Sequence, residues 1–317
     1  MNHDKEIKNP FKTLDKFAWV ILLLLWGVYS YLSFQTPSEQ ATMKYNLSLY
    51  QLSLLRFSII IPVLFIWSAI LYSSLKLYTY SQAIINNDDG KGFRLIAHGV
   101  FVFLVSSVVS SFVSLWRQFN PKDVDLINTL SILNNYLMVF FSLVSFYLIW
   151  QGSKKFLEMV HAEKKAKKQS RIVWAAVIAL SIPYIYFVLQ NPLRSASSIP
   201  DVNSTYNLPD FLIFSTIVLP YILGWLLGLL AVMNMAIFGK ETKGIFYKKA
   251  LHKFHQGFWI IIVLAIALQY LTQFTLFFSQ ATIAIILLII YVILIVDTAG
   301  FVFMAYGARQ LAKIENA

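Results

Sequence analysis

The chain has 317 residues, 58% hydrophobic and 16% aromatic but only 13% charged, and its mean hydropathy is +0.65. That balance excludes a water-soluble domain, because too few polar side chains are present to cover a core of this size, and it makes a bilayer the solvent for most of the chain. The formal net charge of +11 comes from Lys and Arg placed between apolar runs, so it reads as membrane topology and not as nucleic-acid binding, while the absence of cysteine excludes disulfides, thiolate metal sites and cysteine nucleophiles.

A spanning helix needs about 20 apolar residues to cross roughly 30 Å of hydrocarbon. Eight segments meet that demand, near 17–35, 49–73, 95–116, 127–151, 171–190, 210–238, 254–275 and 280–305. The first is too long and too aromatic for a signal-peptide core, and no small-residue cleavage site follows it, so it reads as a retained span. The expected fold is therefore an all-α integral membrane protein of about eight transmembrane helices.

Basic residues set the orientation. They gather in the N-terminal segment (Lys5, Lys8, Lys12, Lys16), after the second span (Lys76, Lys91, Arg94) and in the central stretch Lys154–Arg171. They recur after the sixth span (Lys240, Lys243, Lys248, Lys249, Lys253) and in the tail (Arg309, Lys313). One side of the membrane thus holds twenty-one of the 26 Lys and Arg. Both termini are expected in the cytoplasm, and the expected location is the plasma or cytoplasmic membrane if the source is prokaryotic.

The central basic stretch divides two halves that repeat one another. Trp19, Tyr29 and Tyr31 return as Trp174, Tyr184 and Tyr186, at an offset of 155. Pro62, Trp67 and Gly99 return as Pro220, Trp225 and Gly257, at an offset of 158. Tyr45-Asn46-Leu47 returns as Tyr206-Asn207-Leu208, and Gly152 as Gly307. The offset shifts only across intervals that contain external loops, where insertions cost little. Each half has an even number of spans, so the two are expected to run in the same direction as parallel four-helix repeats. The expected organisation is a cytoplasmic segment 1–16, a first membrane repeat 17–153, a basic cytoplasmic linker 154–170, and a second repeat with a short tail over 171–317.

Charge within the membrane is costly and so marks functional candidates. Arg56 lies in the outer half of the second span and Asp297 well inside the last. Their depths differ by roughly 10–15 Å, too far for a direct pair. Arg56 also has a bland reading, snorkelling to external headgroups, as Asp297 has in a bond to a neighbouring helix. The positions matching them in the other repeat are near Phe214 and Ser142, so neither has a charged counterpart.

Pro62 and Pro220 are hinge candidates, because each removes a backbone donor at membrane depth. The third span carries Ser106, Ser107, Ser110, Ser111 and Ser114 at helical spacing, either a close-packing stripe or a hydrophilic lining. Asn135 and Gln269 add polar groups nearer the outer ends of their spans. The candidate binding set is thus Asp297, Arg56, Ser107, Ser110, Ser111, Asn135 and Gln269.

His98 opens the third span and His255 the seventh, which makes a bis-histidine haem site geometrically conceivable. Both sit in basic interfacial segments where histidine is simply tolerated, and no cofactor is expected. No Walker A loop, HExxH or GxSxG is present to name a reaction. Asn46-Leu47-Ser48 and Asn203-Ser204-Thr205 match glycosylation sequons on the expected external side.

The leading expectation is a permease- or channel-like protein with a site between its repeats, for an unidentified substrate. The alternative is a non-transporting scaffold that binds other membrane proteins through its apolar faces and anionic lipid headgroups through its basic loops. A haem-binding redox protein is the third reading.

Overall fold

The computed structural model describes residues 12–35, 49–83, 88–119, 124–190, 214–242, 245–277 and 283–314. Among them lie eight α-helices: α1 (Lys12–Gln35), α2 (Leu49–Ala83), α3 (Asp88–Phe119), α4 (Val124–Met159), α5 (Glu163–Gln190), α6 (Leu219–Glu241), α7 (Ile245–Phe277) and α8 (Ile283–Ile314). No strand occurs among the described residues. In hydrocarbon every backbone group must be satisfied within its own segment, and long helices do this. Five of these helices contain, among the described residues, a stretch long and apolar enough to cross a bilayer. This is consistent with a helical membrane protein. Both sequons and the Tyr-Asn-Leu triplets lie outside the described residues.

The helices pack in a reciprocal pattern. Helix α3 lies against α4, and α7 against α8. Helix α4 also packs on α6, while α8 packs on α2. Helix α1 rests on α2 and α3, and α5 on α6 and α7, at the periphery. These two outer helices present Phe17, Leu24 and Tyr31, and Ile172, Ile182 and Tyr186, to the surroundings. In water such a belt would be a liability; against acyl chains it costs nothing.

Small residues set the tightest contacts. A Cβ placed on Gly99 of α3 would stand 2.8 Å from the Ser145 carbonyl oxygen of α4, and one on Gly300 of α8 would stand 3.2 Å from that of Gly257 on α7. Backbones approach this closely only where no side chain intervenes. Ser145 Oγ then donates to the Gly99 carbonyl at 2.9 Å, and Ser74 Oγ ties α2 to the Ala97 carbonyl of α3 at 2.9 Å. Between the halves, Asn234 Nδ2 donates to Ser153 Oγ at 3.0 Å, with both side chains buried.

The basic segment 154–170 is helical except for a short turn between α4 and α5. Ala162 N–H donates to the Leu157 carbonyl and His161 N–H to that of Glu158, with His161 at φ 52°. This is the Schellman closure of a helix end, with histidine in the place glycine usually takes. Nearby, Lys165 Nζ meets Glu241 Oε1 at 2.6 Å and joins the exposed ends of α5 and α6.

At this basic end the two halves are sealed by aromatic rings. Phe156 of α4 lies 4.6 Å from Phe93 of α3 and stacks at 4.9 Å on Phe238 of α6, while Phe93 meets Tyr80 of α2 edge-on at 4.7 Å. All four rings are buried.

Candidate functional site

Farther from the basic end, the same helices part around a cavity of about 390 Å³. That volume falls in the range of small-molecule sites. Six helices line it. Helix α3 contributes Phe103, Ser106, Ser107, Ser110 and Ser111, while α4 contributes Val139, Ser142 and Phe146. From the other half come Pro220, Tyr221 and Trp225 of α6, Ile261 of α7, and Asp297 and Phe301 of α8. Val63, Ile66 and Ile70 of α2 complete the wall.

The serine stripe faces this space because its spacing keeps successive hydroxyls on one side of α3. Trp67 Nε1 donates to Ser107 Oγ at 3.0 Å, and Ser106 Oγ donates to Met138 Sδ at 3.2 Å. Ser111 Oγ returns to the Ser107 carbonyl at 2.8 Å, satisfying itself within the helix. The wall is mixed, with a hydroxyl face on α3 and α4 and aliphatic and aromatic groups elsewhere.

Asp297 is the one charged side chain among the described residues that line the cavity. Its carboxylate makes no hydrogen bond or ion pair among the described residues, and its neighbour Thr298 bonds back to the Leu294 carbonyl. Arg56 is elsewhere: its Nη1 donates to the Phe34 carbonyl at 3.2 Å, where α2 meets α1. The two charged candidates are therefore not brought together. Asn135 and Gln269 fall on α4 and α7, but their side chains lie outside the described residues.

The prolines are differently placed. Pro62 lies inside α2, whereas Pro220 lies in the first turn of α6 and follows a π-helical turn at Phe214–Val218. A π-turn widens the helix by one residue and recurs at functional sites. Of the two, Pro220 lines the cavity.

The histidines do not converge on the cavity. His98 is exposed beside the Tyr78 ring at 5.8 Å, and His255 is half-buried on α7 with its Nε2 unpartnered. No group of three or more His, Asp or Glu suited to a metal occurs among the described residues.

No protein-family model, curated protein or solved structure matches the chain. Function must therefore be read from the cavity itself. Sequence alone points to its serines, Pro220 and Asp297, and does not single out as site residues the aromatic part, Phe103, Phe146, Tyr221, Trp225 and Phe301. One signal was available: Phe146 and Phe301 are identical residues at the 155 offset that relates Gly152 to Gly307.

A second hollow of about 420 Å³ lies at the basic end between α4, α5 and α6. Lys154, Lys167, Glu158 and Glu163 border it, and Lys154 Nζ sits 4.9 Å above the Trp150 ring. Its charges are of both signs.

Proposed function

We propose that the chain is an eight-span membrane protein made of two same-direction four-helix repeats, with both termini cytoplasmic, and that it acts as a permease or channel through the central cavity. The observation that carries this is the pairing within the cavity wall. At the 158 offset Val63 matches Tyr221, Ile66 matches Gly224 and Phe103 matches Ile261. At the 155 offset Val139 matches Leu294, Ser142 matches Asp297 and Phe146 matches Phe301. All twelve residues line the one cavity.

Contacts away from the cavity support the same correspondence. Tyr29 meets Trp67 at 5.7 Å between ring centroids, and the matching Tyr184 meets Trp225 at 4.9 Å. A Cβ on Gly152 would press on the Ile96 amide nitrogen at 3.2 Å, and one on Gly307 on that of Phe254 at 2.5 Å. Ile96 and Phe254 stand at the 158 offset. Such a relation supports an axis along the membrane normal passing through the cavity, which is where parallel-repeat carriers hold their substrates. Ser110, Ser142 and Asp297 add polar groups to that wall beyond the serines whose hydroxyls are bonded within the bundle, which supports a hydrophilic lining.

The lack of cysteine makes the natural chain its own reporter background. Single cysteines at Ser107, Ser110, Ser111 and Asp297 would be exposed, in intact cells and in inside-out vesicles, to a membrane-impermeant thiol reagent. Reaction at these positions is the expected result. Protection at all four from both sides would overturn the transport reading and favour the assembly partner, whose Lys-rich ends would hold anionic headgroups.

A further inference from the structure

We infer that the central cavity selects a small organic cation, a positively charged head on an apolar body, with Asp297 as its counter-charge. The inference rests on the cavity reading above and adds the class of solute.

Four features of the wall point to this class. First, the one charged group is a carboxylate with no hydrogen bond or ion pair among the described residues, and an unpaired charge at membrane depth is a cost that an incoming cation removes. Second, no Lys, Arg or His lines the cavity among the described residues, so an anion would meet hydroxyls and a charge of its own sign. Third, calcium takes about six to eight oxygen ligands, and magnesium is held by one or two carboxylates together with substrate phosphates and water. This cavity supplies one carboxylate, and no group of three or more His, Asp or Glu suited to a metal occurs among the described residues. Fourth, Trp225, Tyr221, Phe103 and Phe146 present rings to the same space, with Phe103 and Phe146 edge to face at 5.1 Å. Aromatic faces attract organic cations, and the aliphatic wall of Ile66, Ile70 and Val139 suits an apolar body rather than a hydrated ion.

The two repeats differ where this selection would arise. Asp297 and Ser142 occupy matching positions, so one half supplies the charge and the other a neutral hydroxyl. A second carboxylate would suit a divalent solute; the serine keeps the cavity monovalent.

The test reads charge selection without knowing the natural solute. Protein carrying Ser110→Cys is placed in lipid nanodiscs, where both faces are open, and reacted with three methanethiosulfonates. Their tails are trimethylammonioethyl (cationic), sulfonatoethyl (anionic) and hydroxyethyl (neutral). After correction for their rates with a free thiol, the cationic reagent should outpace the anionic one by about tenfold or more, as expected of a cleft that concentrates one sign of charge.

Asp297→Asn should abolish that preference and Asp297→Glu should keep it. If Asp297→Asn fails to fold, the exchange variant Ser142→Asp/Asp297→Ser serves instead, and it should restore the preference from the matched position. Tetraethylammonium should slow the cationic reagent more than the same concentration of potassium. Equal slowing, or none, overturns the organic assignment. Corrected rates that are equal for all three reagents overturn cation selection while leaving a water-filled cavity standing. Failure of even the neutral reagent refuses the cavity itself, and with it the reading on which this inference rests.

Discussion

Trp67, fully buried on α2, donates its indole N–H to Ser107 Oγ on α3 over 3.0 Å. The bond holds a cavity-lining serine in place from behind, and it joins two helices. Trp67→Phe keeps most of the apolar contact and deletes the donor. Interhelical bonds in membranes are worth about 0.6 kcal/mol on average and about 1.7 at most, which is the loss expected. Trp67→Ala also empties the site and should cost about 3–5 kcal/mol. Unfolding in mixed micelles, followed by far-UV dichroism, separates the two. Equal losses would mean that the hydrogen bond, and not the ring, dominates.

The glycine contacts give a matched pair of expectations. A methyl group on Gly99 or on Gly257 would strike backbone atoms of the facing helix, which have no rotamer to yield. Gly99→Ala and Gly257→Ala should each destabilise by about 1–3 kcal/mol, the usual range for overpacking. Gly27 of α1 has nothing within 4 Å of where its Cβ would lie. There Gly27→Ala should gain up to about 1 kcal/mol from helix propensity alone. Destabilisation by Gly27→Ala would show that α1 makes contacts beyond those of a single chain.

Much of this architecture was legible in the sequence because the bilayer demands long apolar runs and leaves few other solutions. The helix positions followed from that demand, and the shared spacing of Trp67 and Trp225, and of Gly99 and Gly257, was visible from residue type alone. The inward face of the serine stripe followed from helical periodicity, but whether it met another helix or a space did not. That depends on how six helices pack, and Phe103 and Trp225 look like any other aromatic residue until they do. Pro220 shows the limit differently. Its spacing matched Pro62, yet the chain enters α6 through a π-turn that no residue pattern announced.

His161 offers a stabilising substitution. With φ at 52° it holds the left-handed conformation that closes α4, and a Cβ there meets the following carbonyl. His161→Gly removes that clash and should raise stability by about 1 kcal/mol. His161→Val, with its branched Cβ, should lower it. The same micelle unfolding measures both, and a loss on His161→Gly would mean that the imidazole makes a contact worth more than the strain.

Phe156 is where closure of the basic end is most exposed to test. It is packed between Phe93 of α3 and Phe238 of α6, so in the proposed permease it would bridge the seam along which the two halves separate. Phe146, on the cavity wall, is ten residues away on the same helix, so about 15 Å of packed protein closes the cavity on this side. Phe156→Ala should cost about 3–5 kcal/mol, and Phe156→Leu distinctly less. If 1.4 kcal/mol of that loss falls on the closed arrangement alone, the opened fraction rises about tenfold. A reporter at Ile149→Cys, buried between Phe146 and Phe156, should then react faster with an impermeant thiol reagent supplied to the basic end. Reagent supplied to the opposite end should show no such gain. Equal acceleration from both ends would mean that Phe156 supports the whole bundle and that the seal lies elsewhere.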